Sequence, residues 1–124
     1  MPALDRLSGL RVVADPAALD AARWQGDDVT VLRLAPDDAF AIGATGVTVA
    51  DEHAIVESEP GFAGAWRPVS EVAHHVEWSI PTERPALAQG AVANVPARLW
   101  LPDDGDALLF TAAAYADELA SRLR

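Results

Sequence analysis

Val29-Thr-Val-Leu-Arg-Leu-Ala-Pro-Asp-Asp-Ala-Phe-Ala-Ile-Gly-Ala44 is the stretch whose reading decides the fold class. Val29 to Ala35 is β-branched and alternating, which predicts a strand. Pro36-Asp37-Asp38 has turn chemistry: proline presets φ and aspartate bonds its own local backbone. Ala39 to Ala44 then returns as the second arm of a hairpin, so the sheet is antiparallel.

Toward the N-terminus, Leu10 to Ala14 reads as a short strand. Asp15-Pro16 follows as an N-cap with proline at the first helical position. Ala17 to Trp24 predicts a brief helix stopped by Gly26. Toward the C-terminus, Val47 to Val49 and Ala54 to Glu57 predict short strands around Asp51-Glu52-His53, and Pro60 to Gly64 predicts a loop. Val69 to Ala73 and Val76 to Ile80 read as one long strand or a bent pair. Pro81-Thr82 opens a helix through Gln89, stopped by Gly90. Val95 to Leu101 is a strand, Pro102 to Gly105 a turn, and Ala107 to Phe110 the returning strand. Thr111 caps a final helix, in which Tyr115, Leu119 and Leu123 line one face. Glu118 and Arg122 are spaced to pair across one turn.

A shift of 66 residues lays Val29 on Val95 and Pro36-Asp37-Asp38 on Pro102-Asp103-Asp104. The expected architecture is therefore one α+β domain over residues 1–124, an antiparallel sheet with helices on one face. Two readings of its interior stay open. One is a pair of pseudo-repeated, ferredoxin-like β-α-β-β units at about 10–44 and 76–112, closed by a helix over 112–123. The other is an ordinary α+β sandwich in which Pro-Asp-Asp is simply a favoured hairpin turn.

The 124 residues fit one domain, and 51% of them are of the apolar class, enough for a core without metal or disulfide. Cysteine is absent, which removes disulfides, thiolate catalysis and the common zinc sites. All nine basic residues are arginine, so lysine Schiff-base chemistry is excluded as well. The net charge of −10 argues against nucleic-acid binding, where neutralising phosphates dominates affinity. Lysine-free composition rich in Ala, Gly, Pro and Asp suggests a GC-rich bacterial genome. Met1 to Leu10 lacks a basic start followed by an apolar stretch, and no apolar run is long enough to span a bilayer. The expected location is the cytoplasm.

Few residues invite a chemical role. His74 and His75 are adjacent, so in a strand they face opposite ways, and His75 with Glu77 reads as a polar pair on one face. Asp27-Asp28, Asp37-Asp38, Asp51-Glu52 and Asp103-Asp104-Asp106 are expected at turns, without the remaining ligands of a calcium loop. No serine has a G-x-S-x-G context, and without lysine there is no Walker loop. Trp66 and Arg67, with Phe62 nearby, have the composition of a ligand lip or a partner contact. The candidate ligand-binding residues are thus Trp66, Arg67, His75 and Glu77, with no catalytic set and no metal site. A metal protein using His53, His75 and Glu77 is a third reading. Trp78 and Trp100 are expected to fill the core or an interface, and Trp24 to close the first helix onto the sheet.

Ser70-Glu-Val-Ala-His74, Val76-Glu-Trp-Ser-Ile-Pro81, Leu87-Ala-Gln-Gly90, Ala97-Arg-Leu-Trp-Leu101 and Thr111 to Leu123 together carry a family likeness. In this order the chain resembles the small gamma subunit of heterotetrameric sarcosine oxidase. More distantly it is similar to folate-binding, aminomethyltransferase-like domains. Glu71, Ala73 and Ile80 depart from the aspartate, serine and glycine of that pattern. The resemblance implies a non-catalytic subunit or accessory domain that binds no cofactor of its own and acts by self-assembly or beside a flavoprotein oxidoreductase subunit. The alternative is a small-molecule binding module for a folate-like or amino-acid-like ligand.

Overall fold

The computed structural model describes residues 3–124. They form two antiparallel sheets with a few short helices, an α+β fold as expected. The described residues divide into two compact units: Ser8–Pro60, and Gly61–Arg124 together with residues 3–7.

The Ser8–Pro60 unit contains β2 (Gly9–Val13), α1 (Pro16–Asp20), β3 (Arg23–Ala35), β4 (Asp38–Thr48) and β5 (Ile55–Ser58) in the spatial order β3-β4-β2-β5. Strand, short helix, strand, strand is the order expected for residues 10–44. The decisive hairpin closes through Pro36-Asp37, with Ala35 opposite Asp38. The first helix is shorter than expected. It ends at Asp20, and Trp24 and Gly26 belong to β3. Pairing with β4 draws these residues into the sheet, while a bulge between Gly26 and Thr30 absorbs Asp27 and Asp28. Gly26 at φ 143° and Asp28 at φ 50° supply the left-handed backbone that the bulge requires. Asp27-Asp28 therefore sits in a bulge rather than a turn.

Val12, Ala14, Leu19 and Ala39 make this unit's buried cluster, with Trp24 and Val31 packed at its margin. Trp24, expected at the end of the first helix, packs instead from β3 against the cluster that contains Leu19 of α1. On the other face of β2, Arg11 donates two hydrogen bonds to Asp38 (2.6 and 2.7 Å) and a third to Glu59 (2.7 Å). The bidentate fork raises the Arg11 pKa above its ordinary value, chiefly through the Asp38 bonds and against the opposing effect of burial.

The Gly61–Arg124 unit holds β1 (Asp5–Arg6), β6 (Phe62–Arg67), α2 (Val69–Ala73), β7 (Ala86–Val92), β8 (Val95–Leu101), β9 (Ala107–Ala112) and α3 (Ala116–Arg122), with sheet order β1-β6-β9-β8-β7. Several expectations fail in this unit. Residues 62–64 are not loop but the start of β6, paired along its whole length with β9. Val69–Ala73 is not strand but helix: Val69 and Val72, three apart, both turn into the core. Residues 76–80 form neither strand nor helix. The helix expected from Pro81-Thr82 through Gln89 is absent: residues 81–85 form neither helix nor strand, and Ala86–Val92 is β7, paired residue for residue with β8. Alanine and leucine favour a helix only weakly, and a complete ladder with a neighbouring strand outweighs that preference. The second β-α-β-β copy accordingly lacks a helix around Ala88, and three consecutive strands follow α2 instead.

The β7–β8 hairpin closes through Ala93 (φ 48°) and Asn94 (φ 65°) between the paired Val92 and Val95. Two central residues at positive φ make the tight turn that matches strand twist. The last helix also begins later than expected. Thr111 lies inside β9, and its buried hydroxyl donates to the Pro96 carbonyl (2.7 Å) instead of capping. Glu118 and Arg122 pair at 2.7 Å, as their spacing predicts.

One face of this sheet carries Ala88, Val92, Val95, Ala97, Leu99, Leu101, Ala107 and Leu109. Val72 of α2 with Leu119 and Leu123 of α3 are buried in the same cluster, so both helices cover one face.

Candidate functional site

The four sequence-derived candidates divide between two hollows. His75 and Glu77 line one of about 460 Å³ with Trp78, Ala93 and Asn94. Both follow α2, where the chain has left regular structure, so strand alternation does not govern them. His74 caps α2 and is exposed, while His75 is half-buried and its carbonyl accepts from the Ala93 amide (2.7 Å). Trp78 donates its indole N–H to the Ala91 carbonyl (2.8 Å).

Trp66 and Arg67 border the other hollow, with Asp5, Leu7 and Leu108. They are neighbours on β6, so alternation sends their side chains to opposite faces. Trp66 is 45% exposed. Arg67 folds back to donate to the Trp66 carbonyl (2.8 Å) and lies 3.9 Å from the Glu71 carboxylate. His53 is exposed in the Ser8–Pro60 unit, 3.5 Å from Glu52. Among the described residues, no three His, Cys, Asp or Glu side chains gather to hold a metal ion.

Asp51 is a carboxylate whose surroundings pull it down. It accepts the Asp15 amide (2.8 Å) and the His53 amide (2.9 Å), and these bonds hold it below its ordinary 3.8, the Asp15 bond foremost. This is turn architecture: Asp51 ties the loop before β5 to the start of α1.

A third cleft is built from residues outside the sequence-derived candidates. It measures about 360 Å³ and opens on the helix-free face of the Gly61–Arg124 sheet. Register places Gln89 beside Arg98 and Arg98 beside Phe110, a row running across three strands. Phe62 meets Phe110 edge-on at 5.6 Å, and the Arg98 guanidinium lies 5.9 Å from the Phe62 ring centroid. Tyr115, at the foot of α3 and 43% exposed, completes the wall. Among the described residues, no carboxylate lines this cleft. Sequence alone offered no signal for it, because its side chains come from separate elements that only pairing brings together.

The fold defined here is an α+β arrangement of two antiparallel sheets with short helices. It is similar to a chain of the heterotetrameric sarcosine oxidase of Corynebacterium sp. U-96, solved in complex with pyrrole 2-carboxylate, with a TM-score of 0.67 over 97% of this chain and 79% of that one. Identity across the match is 14%, so the likeness is one of fold. No family model matches the sequence, and no curated protein does. Among the described residues no helix is long and apolar enough to cross a membrane.

Proposed function

We propose that this chain is a non-catalytic subunit that works by assembly with a flavoprotein oxidoreductase. The observation that carries this reading is the fold likeness to a heterotetrameric oxidase chain over 97% of the sequence. The surface of the Ser8–Pro60 unit supports it. β5 is an edge strand, paired on one side with β2, and all four of its residues are exposed. Ile55 (55% exposed) stands directly across from Val13 (37%), and Val56 (45%) lies on the opposite face. A sheet edge with open backbone groups and neighbouring apolar side chains is the kind of surface a partner covers.

Native purification of the tagged chain from its own cells tests the proposal, with mass by light scattering and flavin absorbance read together. The expected species is heavier than 13.1 kDa and contains a stoichiometric flavin-bearing chain. A strictly monomeric chain, with no partner, overturns it.

A further inference from the structure

We infer that the cleft between Phe62, Arg98 and Tyr115 is a binding site for a small monocarboxylate with a flat apolar body. In a chain of net charge −10, where acids outnumber bases 19 to 9, a half-buried arginine readily finds a carboxylate. Arg11, Arg33, Arg67 and Arg98 are the half-buried arginines among the described residues. The first three each lie within ion-pair distance of an acidic side chain. Arg98 has no such partner among the described residues, although it stands on a central strand. What it has is the face of Phe62 at 5.9 Å. A ring face orients a guanidinium without consuming its N–H donors, so the donors remain available to an incoming anion.

The surroundings specify the rest of the ligand. Phe62, Phe110 and Pro96 give the cleft apolar walls, and Phe62 and Phe110 are already locked edge to face. The Thr111 hydroxyl already donates its O–H to the Pro96 carbonyl, leaving oxygen lone pairs rather than a donor. Gln89 and Tyr115 are the remaining polar side chains of the lining. One planar cation on a mainly apolar wall matches one carboxylate attached to a flat body, since a guanidinium fork meets a carboxylate in two parallel bonds. A dianion has no second cation in this lining. A volume of about 360 Å³ lies within the range of small-ligand clefts.

Benzoate and its uncharged counterpart benzyl alcohol are the probes, followed on the whole chain through the arginine Nε–H and aromatic NMR signals. Benzoate is expected to shift the Arg98, Phe62, Phe110 and Tyr115 signals saturably. Benzyl alcohol should bind at least about tenfold more weakly, the share of a charge-assisted bond. Arg98→Gln should remove the preference for benzoate, and Arg98→Lys should retain part of it, since the charge persists without the fork. Circular dichroism checks that each variant is folded. If neither variant folds, the comparison of the two probes on the native chain decides alone. Equal affinity for both, shifts elsewhere on the chain, or no saturable response to benzoate overturns the inference. The outcome is independent of whether the chain assembles with a partner.

Discussion

Single side chains decide several local matters in this protein, and Gly90 is the sharpest case. A Cβ there would lie 2.7 Å from the Trp78 indole, whose N–H is already committed to the Ala91 carbonyl. A bulky ring held by a hydrogen bond cannot retreat cheaply. Gly90→Ala should therefore destabilise the protein by about 1–3 kcal/mol. Urea unfolding followed by tryptophan fluorescence measures this, and an unchanged midpoint would refute it. Asp51 offers a second test, in acid. Its folded pKa lies below its ordinary 3.8, so the stability it contributes is present above that value and is lost as pH falls through the lower folded pKa. Its carboxyl should titrate with a midpoint under 3.8, and the Asp15 and His53 amide signals should follow the same curve. A midpoint at or above 3.8, or amides that ignore it, would contradict the assignment.

At the scale of elements, the β7–β8 hairpin depends on a turn with both central residues at positive φ. Asparagine tolerates that region, and a β-branched residue does not. Asn94→Val should cost about 1–3 kcal/mol, while Asn94→Gly should change stability by only a few tenths. Chemical denaturation of both variants separates backbone strain from loss of the amide, because equal losses would point to the side chain. Which elements were legible in the sequence follows from the same physics. The β3–β4 hairpin was readable because alternation and Pro-Asp-Asp agree locally. α2 was not, because Val72 also continues the alternating run of His74, Val76, Trp78 and Ile80, and only its three-residue spacing from Val69 speaks for a helix. β7 was not, because its alanines and Leu87 favour a helix until β8 offers a full ladder.

For the whole molecule, assembly through the β5 edge has a direct test. Ile55→Glu places a charge beside Val13 at a position already 55% exposed, so the fold should tolerate it within about 0.5 kcal/mol. The same substitution should abolish recovery of the partner in native purification. A variant that still assembles fully would move the interface elsewhere. The candidate site belongs to this scale too. His75 and Glu77 border one hollow from an irregular segment rather than from a strand face, and Trp66 and Arg67 border a different one, because residues 62–67 form a strand rather than a loop.

By itself the sequence determined the chemistry that this protein lacks and the class of its fold. Absent cysteine and lysine exclude whole reaction types whatever the folding, and alternating strands about Pro36-Asp37-Asp38 require an antiparallel sheet. Only the tertiary structure decided where α2 and β7 lie, and only it produced the Arg98 cleft. Phe62, Arg98, Phe110 and Tyr115 are spread over nearly half the chain, and no local pattern links them. Their proximity comes from the order β6-β9-β8, a consequence of long-range pairing that single-residue preferences do not encode.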